Sequence, residues 1–180
     1  EGDFVYLNDN GTRLETGDDS YLERTNNDAS QWNVMLNGIV DLDGDYELRF
    51  NETASSRTQG IPGYGAVLAS IARTRTTKNL TSVELARRGG PGRSDALRAN
   101  LSLRLRREEW FDPSGEVGMG NNHNDDLIVD VRGQVRGGWL LPRTRGTAWV
   151  LGELRYEEFF ARRLVIDERW GWRRFTGSFS

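Results

Sequence analysis

Cysteine is absent from the 180 residues, so neither a disulfide nor a thiolate metal site can brace the fold. A single histidine, His123, excludes a multi-histidine zinc centre. Lysine is almost missing too: Lys78 stands alone among 24 basic residues, the rest being arginine. Arginine is the better partner for bidentate pairing with carboxylates in a confined polar space. The sequence contains no run of about 18 apolar residues, which rules out a membrane-spanning helix. A spanning β-strand stays open, because only alternate residues of such a strand are apolar. Dinucleotide and phosphate-loop glycine patterns in strand-to-helix context are missing, as is the G-x-S-x-G nucleophile elbow.

Apolar residues make up 36% of the chain and the mean hydropathy is −0.66. The net charge of −3 hides an uneven distribution. Residues 1–60 hold 13 acidic and 4 basic side chains, whereas residues 61–180 hold 14 and 20. In the basic part the arginines alternate with acids along many segments, without a concentrated cationic stripe. That argues against nucleic acid as a partner. The chain starts at Glu1, which suits a processed protein or a fragment and leads us to expect an outer-membrane or extracellular location after signal-peptide removal.

The clearest structural signal is ALRANLSLRLRREEW, residues 96–110. Leu97, Ala99, Leu101, Leu103 and Leu105 fall on one side of an extended chain; Arg98, Asn100, Ser102, Arg104 and Arg106 fall on the other. The segment 126–140 repeats the pattern, with Leu127, Val129, Val131, Val135 and Trp139 against Asp130, Arg132, Gln134 and Arg136. Trp32, Val34, Leu36, Val40 and Leu42 share a face, an Asp-Gly-Asp turn follows at 43–45, and Tyr46, Leu48 and Phe50 continue on one face, predicting a hairpin. A second hairpin is predicted around Thr77-Lys78-Asn79. A third is predicted across Ala161-Arg162-Arg163, joining AWVLGELRYEEFF to LVIDERWGWRRF. Residues 1–30 read as a polar, partly extended leader with one strand, and 31–180 as a single antiparallel β domain. The expected fold is all-β: an antiparallel up-and-down barrel of about eight strands, with a β-sandwich or jelly roll as the alternative.

Strand length bears on which solvent the leucines meet. Soluble strands average ~5–6 residues, whereas membrane-spanning ones need ~9–11. Trp110, Phe159 and Phe160 would mark one aromatic belt and Trp139 and Trp149 the other, ~34 Å apart at a strand tilt near 40°. Glu168, sharing a strand face with Trp170 and Trp172, opposes that reading because a glutamate toward lipid is unfavourable. In the barrel reading Arg98, Arg104, Arg106, Asp130, Arg132, Arg136, Glu153 and Arg155 form an interior polar network. A barrel of eight strands is filled by side chains, so no open pore is expected.

Asp41, Asp43, Asp45 and Glu47 surround one glycine and could supply oxygen ligands to Ca²⁺, although the spacing and flanking helices of an EF-hand are missing. No other cofactor is expected. His123 and Asp125 could form a general-base pair on a long loop, but no nucleophile lies near them in sequence. Trp170, Trp172, Trp149 and Tyr156 could build a stacking platform. N-x-S/T sequons begin at Asn10, Asn51, Asn79 and Asn100. The function expected is non-enzymatic: an outer-membrane-type barrel acting as anchor, adhesin or assembly partner. Its partners would be membrane lipid or other proteins, with self-association through strand edges. The alternative is a secreted soluble β-protein, either a ligand-binding barrel or a structural subunit of an extracellular or viral assembly.

Overall fold

The computed structural model describes residues 4–9, 14, 16–42, 45–64, 67–87, 96–118, 120, 122–141 and 146–180. A short hairpin comes first, β1 (Phe4–Asn8) with β2 (Ser20–Arg24), separated by a 3₁₀ turn at Thr16–Asp18. The long strands are β3 (Ala29–Leu42) and β4 (Tyr46–Gly60), then β7 (Arg73–Arg87), β8 (Ala96–Asp112), β9 (Asn122–Leu141), β10 (Gly146–Arg163) and β11 (Glu168–Phe179). Between β4 and β7 lies a minimal pair, β5 (Gly63–Tyr64) with β6 (Val67–Leu68). The seven long strands form one antiparallel sheet in the order β11-β10-β9-β8-β7-β4-β3. Every ladder runs without a bulge, so register is uniform from one edge to the other. The expected all-β antiparallel architecture is present. Among the described residues no ladder joins β3 to β11, and the sheet is open.

Two predicted turns are corrected. Thr77-Lys78-Asn79 is no hairpin: β7 passes straight through it, paired on both sides by β4 and β8. Its alternation fades because Thr77, Asn79 and Thr81 put polar groups on the otherwise apolar side, where Asn79 and Thr81 hydrogen-bond to Glu52. Ala161-Arg162-Arg163 is likewise strand, and the chain reverses at residues 164–167, where Asp167 takes a left-handed φ of 49° that Asp tolerates. The leader holds the β1–β2 hairpin instead of one strand.

Cross-strand partners share a face and neighbours along a strand alternate, so the register sorts the side chains into two faces. One row reads Gly38, Phe50, Val83, Leu101, Gly133, Leu154, Gly177; the next reads Val40, Leu48, Leu85, Ala99, Val135, Gly152, Phe179. This is the apolar face. The opposite face carries Arg49, Glu84, Asn100, Gln134 and Glu153 in one row and Thr53, Arg104, Asp130, Glu157 and Arg174 in another.

Among the described residues nothing covers either face. The apolar side chains that are buried among the described residues are four alanines, Ala69, Ala72, Ala86 and Ala161. Accessible surface totals 12580 Å². A compact protein of this mass would expose about 8,800 Å². An isolated domain normally buries an apolar sheet face against a second layer. This sheet is a single layer.

One end of the sheet is tied together. Asn26, with a φ of 58°, donates through Nδ2 to Ile61 O at 3.1 Å and Ala72 O at 2.8 Å. The Gly60 amide donates to Asp28 O at 2.9 Å. Gly60 is required there: a Cβ would fall 2.4 Å from the Asn26 carbonyl oxygen.

Candidate functional site

The polar face is the richest arrangement of chemical groups. On its β8–β11 side nearly every arginine meets a carboxylate on a neighbouring strand. Arg155 donates to Asp130 in bidentate fashion (Nε 3.0 Å, second nitrogen 2.9 Å) and also lies 2.8 Å from Glu157. Arg104 adds a longer contact to Asp130 at 3.9 Å. Arg132 reaches Glu153 at 2.7 Å, and Gln134 donates to the same oxygen at 2.8 Å. Arg174 pairs with Glu157. Toward β4, Glu47 is engaged by Arg49, and Glu84 lies 3.7 Å from Arg49 and 3.8 Å from Arg98. Arg136 stacks on the Trp149 ring at 4.7 Å. A cavity of about 630 Å³ opens among Glu84, Arg98, Gln134, Arg136 and Trp149.

All eight residues predicted as a polar network share this face: Arg98, Arg104, Arg106, Asp130, Arg132, Arg136, Glu153 and Arg155. The structure adds Glu47, Arg49, Glu84, Glu157 and Arg174; the first three alternate with apolar neighbours, a signal that could have found them, while Glu157 and Arg174 each adjoin a second charged residue.

The five predicted belt aromatics do not share a face. Trp139 and Phe160 lie on the apolar face; Trp110, Trp149 and Phe159 lie on the polar one. Parity along β8 puts Trp110 with Arg104 and Arg106, and along β10 it puts Trp149 with Glu153 and Arg155. Trp32 takes their place: it shares a row of the apolar face with Phe160, while Tyr46 marks the opposite end near Trp139. Trp170, Trp172 and Glu168 belong to the polar face, where Phe159 packs edge-on against Trp170 at 5.3 Å. Tyr156 lies on the other face, so no four-aromatic platform forms.

The carboxylates that the apolar face does carry are partnered. Glu52 accepts from Asn79 and Thr81, and Glu158 from Arg173 and from the Tyr156 hydroxyl at 2.7 Å. A groove of about 770 Å³ crosses this face, floored by Gly133, Gly152 and Gly177 and walled by Leu101, Leu154 and Phe179.

At the tied end, Asp112 is fully buried and accepts the amides of Glu116 (2.8 Å), Val117 (2.9 Å) and Gly118 (3.1 Å). Glu116 in turn accepts the amides of Ser70 (2.9 Å), Ile71 (2.8 Å) and Ala72 (3.1 Å), and the Ser70 hydroxyl at 2.7 Å. These donors, the Ile71 amide foremost, hold the Glu116 carboxyl at a pKa of about 2.

Of the calcium candidates, Asp43 lies outside the described residues. Asp41 sits opposite Glu47, whose carboxylate is engaged by Arg49, and Asp45 is exposed in the turn. Among the described residues no group of three acidic or histidine side chains is placed to hold a metal. His123 packs edge-on against Phe111 at 5.3 Å, while Asp125 is held by Arg107 at 2.7 and 2.8 Å. The two share a face but serve different partners. The sequon residues Asn51, Asn79 and Asn100 all lie inside strands, and Asn10 lies outside the described residues.

The fold therefore defines a single-layer antiparallel meander with one apolar and one charged face. No family model, curated protein or solved structure matches the chain.

Proposed function

We propose that the chain is a non-enzymatic, outer-membrane-type β-structure, acting as an anchor, adhesin or assembly partner, with lipid against the apolar face and the arginine–carboxylate face turned inward. The observation that carries this reading is the uncovered apolar face of a sheet made of very long strands. On β9 that face reads Leu127, Val129, Val131, Gly133, Val135, Gly137, Trp139 without a polar interruption. Those positions span ~41 Å along the strand and ~31 Å at a tilt near 40°, close to the ~30 Å hydrocarbon thickness of a bilayer. Trp32 and Phe160 at one end, with Tyr46 and Trp139 at the other, suit the interfacial positions where aromatic rings concentrate. The objection from Glu168 falls away, since it lies on the charged face.

Closing the sheet needs further strand. β3 and β11 are the first and last of seven antiparallel strands and so run in the same direction. An all-antiparallel barrel requires an odd number of additional strands between these edges, supplied by another segment or by an assembly partner. The edges, 14 residues on β3 and 12 on β11 and unpaired among the described residues, also support the second reading, a subunit of an extracellular assembly joined by strand addition.

Partitioning tests the first reading. Purified protein should be monodisperse only with detergent or lipid and should show heat-modifiable migration on a gel. A monodisperse protein in plain buffer would refute it.

A further inference from the structure

Most basic side chains of the polar face have a carboxylate beside them, and one stretch of the face departs from this. On the β3–β4–β7 side, toward the tied end, two successive rows read Asn33, Ser55, Lys78, Arg106 and Gln31, Arg57, Thr76, Glu108. From residue 29 to 37 of β3, 51 to 59 of β4 and 74 to 82 of β7, this face carries no acidic side chain. Arg106 has a partner in Glu108, with Nε at 3.0 Å. Arg57 and Lys78 have no ion pair or side-chain hydrogen bond among the described residues.

This arrangement opposes stability. Lys78 stands directly across from Arg106, and Arg57 is its diagonal neighbour on β4. Like charges set opposite one another on adjacent strands repel. Arginines also face one another elsewhere on this side, Arg98 across from Arg136 and Arg132 across from Arg155, but there Arg98, Arg132 and Arg155 each have a carboxylate partner, in Glu84, Glu153 and Asp130. The two cations border a cavity of about 390 Å³ whose other walls are amides and hydroxyls, including Gln31, Ser55, Gln59 and Thr76, together with the Arg106–Glu108 ion pair. That size lies at the lower end of small-molecule sites, ~300–1,000 Å³.

We propose that this cavity binds a small phosphorylated, polyhydroxylated ligand of the sugar-phosphate class. The Arg57 fork and the Lys78 ammonium take the tetrahedral oxyanion. The amides and hydroxyls, which both donate and accept, take the ligand's hydroxyl groups. A bound dianion would sit between the cations and convert their repulsion into attraction. The site depends only on the polar face, and stands whether lipid or protein covers the other.

The test uses the full chain in whichever medium, detergent or buffer, keeps it monodisperse. Calorimetric titration with glucose 6-phosphate should saturate, inorganic phosphate should bind at least tenfold more weakly, and glucose should give no signal. The Arg57→Gln/Lys78→Gln variant should lose at least tenfold in affinity for glucose 6-phosphate, while Arg132→Gln retains it. In ligand-free buffer the double variant should unfold at the same or a higher denaturant concentration than the parent chain. Absence of saturable binding, equal affinity for the sugar phosphate and inorganic phosphate, or unchanged binding by the double variant would each overturn the proposal. A lowered unfolding midpoint of the ligand-free double variant would also overturn it, by making the two cations structural.

Discussion

Leu101→Arg separates a lipid-covered sheet from one in water. Leu101 lies midway along the leucine series of β8, between Val83 and Gly133, and is 58% exposed. On a bare sheet in water so exposed a side chain loses little apolar burial, and the replacement should stay within ~0.5 kcal/mol. Against lipid the same position lies near the middle of the apolar band, where arginine costs ~2–4 kcal/mol. That corresponds to a ~30- to ~900-fold shift in the folding equilibrium, at 1.36 kcal/mol for each factor of ten. Urea titration of folding into phosphatidylcholine vesicles, read by tryptophan emission and by gel migration with and without heating, measures it. Leu80→Gln is the control, because Leu80, 38% exposed, lies on the polar face opposite Arg104 and should change stability by less than ~0.5 kcal/mol. A Leu101→Arg effect no larger than that of the control, in vesicles, would refute the membrane assignment.

Asp130→Asn should lower stability by ~2–3 kcal/mol in denaturant unfolding, because it removes the charge from a buried acceptor held by Arg155. Arg132→Gln, whose side chain is 47% exposed, should shift the unfolding midpoint less than Asp130→Asn does in the same assay. The Glu116 clasp should depend on acid: its carboxyl titrates near 2 when folded against an ordinary 4.5, so its contribution is complete above about pH 4.5 and lost as pH falls toward 2. Protection of the Ser70, Ile71 and Ala72 amides from hydrogen exchange, relative to the intrinsic rate at each pH, should fall across that window, and Glu116→Gln should show reduced protection already at neutral pH. Gly171→Ala should weaken the β10–β11 pairing by ~1–3 kcal/mol, because the new Cβ would fall 2.3 Å from Phe159 O; exchange of the β11 amides reports it.

Much of the sheet was legible wherever one face was uniformly apolar. β8, β9 and the β3–β4 hairpin follow directly from alternation, and the same alternation put the eight network residues on one side. β7 was obscured because Glu52, on the neighbouring strand, recruits Asn79 and Thr81 on the apolar face and erases the period locally. The reversal into β11 was obscured because Leu164, Val165 and Ile166 are good strand formers that here form the turn. The aromatic belts fail for a different reason: nearness to a strand end does not fix a face, and by parity Trp110, Trp149 and Phe159 fall on the charged side. The Asp112 and Glu116 clasp was invisible because carboxylates that accept backbone amides leave no spacing signature.

The meander has a consequence for how the protein forms. Each long strand pairs only with the strand immediately before and after it among the seven, through connections of at most a dozen or so residues. Loop-closure entropy is therefore modest at every step, and the sheet can assemble by adding one strand at a time to an existing edge. With uniform register and no bulges, every stage of that growth presents the same kind of template as the stage before. Intermediates thus resemble the finished edges β3 and β11, so nothing in the ladder itself marks where growth should end.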